Sequence, residues 1–256
     1  MERIKIYGLS LILFAVIALQ ATPTLARFQT AGDWADYFQQ GVSNAASGRY
    51  KEAIESYRQA IQRRPDFAEA FSNLGYAYGK LERYAEAREV LEQAIRLDPQ
   101  LAKAHNNLGY VYAVERRYEK AIAAYLESIR LNPSNAVFHL NLGMAYAESG
   151  RFQAAFASLE QAIQLEPDSA ENYHNLGYVL TKAGRDKEAI RAYKQALLLK
   201  PDFPEAYHNL ALAYLDQGKR SLALEQYDKL RAFNKEKAER LLNLINRDRI
   251  IIVRKQ

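Results

Sequence analysis

Cysteine is missing from all 256 residues, tryptophan occurs once, methionine twice and proline seven times. The lack of cysteine excludes disulfides, thiolate metal sites, a cysteine nucleophile and lipid attachment through cysteine. Neither sign of charge dominates: 35 lysines and arginines are interleaved with 30 aspartates and glutamates, a net charge of +5. So even a distribution makes no argument for nucleic acid as a partner. No glycine-rich phosphate loop, nucleophile elbow or His-Glu-x-x-His string is present. The carboxylates are scattered at repeat spacing, with no pair singled out for acid–base work. On these grounds no enzyme activity, cofactor or metal is expected. The composition, 49% hydrophobic and 25% charged, is that of a globular protein. Tyrosine is what the chain has in abundance, with eighteen copies.

One uncharged stretch stands apart, from Ile6 to Ala26. Arg3 and Lys5 precede it, its apolar part runs to Leu19, and Pro23 and the small-residue end Thr24-Leu25-Ala26 close it before Arg27. Charged start, apolar centre and small-x-small end describe a secretory signal peptide, residues 1–26, and hence an exported protein of a periplasm, a lumen or the extracellular space. The apolar centre is shorter than the ~20 residues of a comfortable membrane span. The alternative is an uncleaved anchor over residues 6–26, which would associate the protein with a membrane. A linker, 27–33, follows.

From there the chain repeats itself every 34 residues. Pro65, Pro99, Pro133, Pro167 and Pro201 are in register, as are Leu74, Leu108, Leu142, Leu176 and Leu210. Next to those leucines stand Gly75, Gly109, Gly143, Gly177 and Ala211, and three residues on Tyr78, Tyr112, Tyr146, Leu180 and Tyr214. Small residues recur at Ala53, Ala87, Ala121, Ala155, Ala189 and Ala223, and again at Ala60, Ala94, Ser128, Ala162 and Ala196. Phe71, Leu74 and Tyr78 have helical spacing and give a first helix; Tyr84, Ala87, Leu91, Ala94 and Ile95 give a second. A glycine inside a helix costs ~1 kcal/mol relative to alanine, so Gly75 implies a close approach of two helices, with Ala87 and Ala94 expected to answer it. Proline after Asp98, Asn132 and Glu166 ends the second helix.

This pattern of Leu-Gly, Tyr, Ala, a bulky residue, Ala and Pro resembles the tetratricopeptide repeat. The register gives six repeats, 34–67, 68–101, 102–135, 136–169, 170–203 and 204–237. The first departs at Gln40 and Asn44, and the sixth at Ala211, Leu230 and Lys235. Degenerate ends suit a stack whose terminal units lack a neighbour. Residues 238–256 read as a capping helix and short tail, with Ala238, Leu241, Leu242 and Ile245 on one side. The resemblance implies an all-α, right-handed superhelical solenoid of helix-turn-helix repeats, with first helices lining a concave groove.

It also implies the site. The residue before each Leu-Gly pair would face the groove: Asn73, Asn107, Asn141, Asn175 and Asn209, with Gln39 in the first repeat. Asparagine carries both donors and an acceptor, so the ladder suits the backbone of a bound protein or peptide. Three residues on, Tyr76, Tyr110, Met144 and Tyr178, with Val42 and Leu212, form an apolar strip. A second reading stays open, in which asparagine only solubilises the helix and tyrosine packs on its neighbours. The carboxylate clamp of chaperone-binding members is matched by Lys103, Asn107 and Asn141, but its last places fall on Glu171 and Asn175. Glutamate there would repel a carboxylate, so the clamp is expected to be absent.

Arg49, Arg83, Arg117, Arg151, Arg185 and Lys219 recur at the turn within each repeat. They read as solvated turn residues; the alternative is a basic edge for anionic lipid or an acidic partner. His105, His139, His174 and His208 occupy single positions in successive repeats, with no second ligand at i+3 or i+4, and read as structural. The function expected is a non-catalytic interaction scaffold that holds a protein segment, in assembly of a larger complex. The alternative is a membrane-anchored accessory subunit of an enzyme or secretion machine. Oligomeric state is not legible.

Overall fold

The computed structural model describes residues 22–253, with side-chain surroundings from 33 to 246. The stretch read as a targeting segment lies outside the described residues up to residue 21. Among the described residues there are thirteen α-helices and no strand. They are α1 (Thr22–Ala46), α2 (Tyr50–Arg63), α3 (Ala68–Lys80), α4 (Tyr84–Leu97), α5 (Ala102–Val114), α6 (Tyr118–Leu131) and α7 (Ala136–Glu148). Then come α8 (Phe152–Leu165), α9 (Ala170–Lys182), α10 (Asp186–Leu199), α11 (Pro204–Asp216), α12 (Arg220–Phe233) and α13 (Lys235–Val253). The class is all-α, with helices paired in tandem. Residues 27–33 fall within α1, and α13 runs on through the segment after residue 247.

Local chemistry sets where these helices start and stop. In α4, Ala87, Leu91 and Ala94 are fully buried along one stripe. Glu86 in its first turn and Arg96 in its last oppose the helix dipole. Asp98, ahead of Pro99, has extended backbone (φ −136°, ψ 96°) and ends the helix. Asn135 and Ser169 cap α7 and α9 by accepting from the amides of Val137 and Asn172.

The turn inside each pair is the same closure six times. Gly48, Gly150, Gly184 and Gly218 have φ between 70° and 80°, and the equivalent Glu82 and Arg116 share the left-handed conformation at 59° and 58°. The next amide turns back to the helix: Arg83 N–H donates to the Tyr78 carbonyl at 3.0 Å and Arg151 N–H to that of Tyr146 at 2.8 Å. This is the Schellman arrangement, which satisfies carbonyls that the helix end leaves open.

By packing, the chain falls into two compact units, Met1–Val111 and Tyr112–Gln256. In the first, Gly75 lies against Leu91: a Cβ there would stand 2.7 Å from Leu91 Cδ2. Ala87 and Ala94, expected to answer Gly75, lie one turn to either side of Leu91 on α4. Both are buried, but the branched Leu91 between them fills the space that glycine opens. In the second unit, Gly143 meets Leu159 and Gly177 meets Tyr193 in the same way. The core of this unit continues through Leu210 and Leu230 to Ala238, Leu241 and Ile245 of α13. Arg220 donates to the carbonyl of Ile245 and, at 3.0 Å, to Asn246 Oδ1, fastening α13 to α12.

Candidate functional site

The expected groove residues sit on the first helix of each pair, with the asparagine one turn before the tyrosine or methionine. All five asparagines are half-buried. In the first unit, Asn73 bonds the hydroxyl of Tyr57, whose pKa burial pushes up to about 12. Asn107 reaches Ser72 on the preceding first helix, 3.5 Å from both its carbonyl and its hydroxyl oxygen. In the second unit, the Asn175 amide donates to the Glu171 carbonyl of its own helix at 2.8 Å. Asn209 donates to His174 Nε2 at 2.9 Å, and Asn141 also has a partner. Asn107 and Asn209 therefore tie neighbouring first helices together, Asn73 ties its helix to the second helix before it, and Asn175 turns back on its own helix.

The tyrosine strip behaves differently in the two units. Tyr76 and Tyr110 are 42% and 41% exposed, and Val42 beside them is open as well. The Tyr110 ring lies over Gly79, which has no side chain to push it away: a Cβ there would be 3.7 Å from Tyr110 Cε1. Tyr50 meets Tyr76 edge to face, with centroids 6.3 Å apart, and Lys80 Nζ stands 5.3 Å from the Tyr76 ring centre. The Tyr84 hydroxyl has a raised pKa, from burial first and the nearby Tyr110 second. Tyr50, Tyr76, Tyr84 and Tyr110 thus form one aromatic surface. Tyr84 was read only as part of the second helix and Tyr50 was not singled out, although Tyr50, Tyr84 and Tyr118 keep the 34-residue spacing.

In the second unit Met144 and Tyr178 are half-buried. The Tyr178 hydroxyl donates to Glu148 Oε1 at 2.9 Å, and Lys182 Nζ reaches the same oxygen at 2.7 Å. Lys182 also holds the Glu148 carboxyl below its ordinary value. This strip is engaged within the protein, whereas that of the first unit is open.

The turn cations are largely matched by carboxylates. Arg83 pairs with Glu86, Arg117 with Glu115, Arg151 with Glu119 and Arg185 with Glu188. Arg83 and Arg117 also lie over the rings of Tyr78 and Tyr112, 4.6 and 4.8 Å from their centres. Glu171, the residue that would oppose a carboxylate clamp, is paired with Lys200 at 2.9 Å, which lowers its pKa.

The histidines act in two ways. His105 and His139 donate from Nε2 to the carbonyls of Pro99 and Pro133, each at 2.9 Å, tying a first helix to the turn before it. His174 packs between the rings of Tyr193 and Phe203, and burial lowers its pKa. The Nδ1 of His208 is buried without a hydrogen-bond partner. Among the described residues no three His, Cys, Asp or Glu side chains are grouped to hold a metal ion. None of the described helices is long and apolar enough to cross a membrane.

Family models described as TPR repeat match residues 44–82, 143–184 and 177–218. Others described as tetratricopeptide repeat match 73–136 and 124–157. No curated protein matches the chain. Among solved structures it is similar to TTC0263, a thermophilic TPR protein of Thermus thermophilus, with 28% identity and a TM-score of 0.64 over 71% of this chain and 99% of that one. PilW, a widely conserved type IV pilus biogenesis factor, aligns with 20% identity and a TM-score of 0.74 over 82% of this chain and 98% of that one. YrrB, a TPR protein with an unusual peptide-binding site, aligns with 22% identity and a TM-score of 0.54 over 74% and 99%. The last two show likeness of fold alone.

Proposed function

The chain belongs to the tetratricopeptide repeat family, and from that premise we propose that it is a non-catalytic scaffold binding a segment of another protein along its first helices. Repeats of this family generally mediate protein–protein contacts. One observation carries the reading further: Tyr76 and Tyr110, one repeat apart, present open rings on the first unit. Large amphipathic rings that lose little freedom on binding are favoured contact residues. The partner lies across Tyr76 and Tyr110 of the first helices and the adjoining Tyr50 and Tyr84 at the starts of α2 and α4, where Lys80 adds a charged donor. Asn73 and Asn107 place these helices, and Asn209 does the same in the second unit, where Asn141 and Asn175 stand in the same column.

The setting we propose is exported or membrane-associated, in assembly of a larger complex. The 1–26 segment supports the first part. Likeness to a pilus biogenesis factor supports the second at the level of fold only. The pairing of the turn arginines with glutamates favours the protein-binding reading over a lipid-binding edge.

The test is a pull-down from native membrane and soluble fractions with wild type and a Tyr76→Ser/Tyr110→Ser variant of matched helicity. A partner held by wild type and lost by the variant supports the reading. Equal capture by both contradicts it.

A further inference from the structure

The second unit carries a groove on its second helices that the proposed function leaves unused. It runs between α10 and α12 over α11, with Tyr207 and Tyr214 as buried floor and Leu198 and Leu222 as walls. Leu198 is 73% exposed, more than any other large apolar side chain described. Phe233 stacks on Tyr207 at 6.0 Å and extends the apolar surface at one end.

The walls break the repeat pattern. In the register of Leu198 the other repeats carry Gln62, Arg96, Arg130, Gln164 and Ala232. In that of Leu222 they carry Glu52, Glu86, Lys120, Ala154 and Glu188. A repeat needs neither leucine to fold, since polar residues serve elsewhere. An open leucine costs solubility and contributes no burial until something covers it.

The rim is basic. Lys229 stands where the other repeats have Gln59, Gln93, Glu127, Gln161 and Gln195, a column with no other cation. Lys194 belongs to a column of mixed charge, with Arg58, Glu92, Leu126, Glu160 and Asp228. Glu225 is the one carboxylate lining the groove. Apolar walls beneath two ammonium groups match an amphipathic helix with leucine-sized anchors and acidic flanks.

We propose that this groove docks an acidic amphipathic helix of a partner protein, at a site separate from the tyrosine surface. The partner helix lays its apolar face between Leu198 and Leu222, and its carboxylates meet Lys194 and Lys229.

The probe is a displayed library of amphipathic helical peptides with randomised charges, selected on the full-length protein. The control is Leu198→Gln/Leu222→Glu, which restores residues that other repeats fold with. Selected peptides are expected to be acidic, to bind the control at least ten-fold more weakly, and to lose affinity as salt rises. Tyr76→Ser/Tyr110→Ser should leave their binding unchanged, which separates this site from the one proposed above. Three results would overturn the proposal: selection of basic or neutral peptides, peptides that bind the control equally well, or no peptide that distinguishes the two. Sedimentation adds a fourth. A wild-type dimer that becomes a monomer in the control would make the occupant a second copy of this chain.

Discussion

The side-chain amide of Asn209 donates to Nε2 of His174 over 2.9 Å, joining the first helices of the fifth and sixth repeats. The bond requires neutral imidazole at Nε2. Burial favours that form and holds the pKa of His174 below its ordinary value of 6.5; Lys237 adds to this, while Glu205 and Glu171 oppose it. His208 is lowered too, by burial first and Lys237 second.

A lowered histidine pKa fixes the sign of the pH dependence. The unfolded chain takes up protons below about pH 6.5 that the folded chain refuses. Stability from these two groups is therefore complete above that value and is lost as pH falls toward the folded pKa values. Thermal melts followed by circular dichroism should show a lower Tm at pH 5.5 than at 7.5, and His174→Gln/His208→Gln should flatten the difference. A Tm that rises on acidification, or an unchanged slope in the variant, contradicts the assignment.

Gly75→Ala should destabilise the first unit. In a free helix surface this change gains ~1 kcal/mol. Here the new methyl meets Leu91, which is fully buried and cannot move aside. Overpacking costs roughly 1–3 kcal/mol, so after the helix gain of ~1 kcal/mol a net loss of up to about 2 kcal/mol is expected. Urea unfolding measures it, and a cycle with Leu91→Ala should show coupling between the two sites. Additive effects would mean that the contact is not the reason for the glycine.

Glu82→Gly should stabilise. Glu82 holds φ at 59° in the turn where four other repeats use glycine. Relieving the Cβ strain of a left-handed residue, less the added freedom of glycine in the unfolded chain, leaves about 1 kcal/mol in favour. Arg116→Gly, at φ 58°, should behave alike. A lower urea midpoint for both would place the stabilising contribution in their side chains instead.

Asn107→Ala should weaken the first unit modestly, by about 1 kcal/mol for one lost hydrogen bond, through the contact with Ser72. Hydrogen exchange should rise on α3 and α5 in this variant. Unchanged exchange would leave Asn107 with a purely ligand-facing role.

These outcomes also mark how far the sequence could be read. Period, helix pairing and the proline stops were legible, because each rests on spacing along one chain segment. The contact of Gly75 with Leu91 was not read, since helical spacing alone does not say which side chain of the facing turn bends into the gap. The bonds of Asn107 to Ser72 and of Asn209 to His174 were illegible. They depend on the offset between neighbouring first helices, which no single helix encodes. The ladder residues form one column, and Asn73, Asn107, Asn175 and Asn209 each also bond within the protein. The openness of Tyr76 and the engagement of Tyr178 differ through Glu148, which takes the Tyr178 hydroxyl and Lys182. The repeat before Tyr76 has Ala46 in that register, and Lys80 finds no such carboxylate there. The difference shows only once adjacent repeats are set side by side.

The most direct test of the central claim is site-specific photo-crosslinking in native extracts. A benzoylphenylalanine at position 76 or 110 would be compared with one at the exposed Arg96, on the second helix α4. The account expects one discrete protein adduct from positions 76 and 110 and none from 96. Adducts at 96 alone, or the same adducts at all three positions, would contradict it.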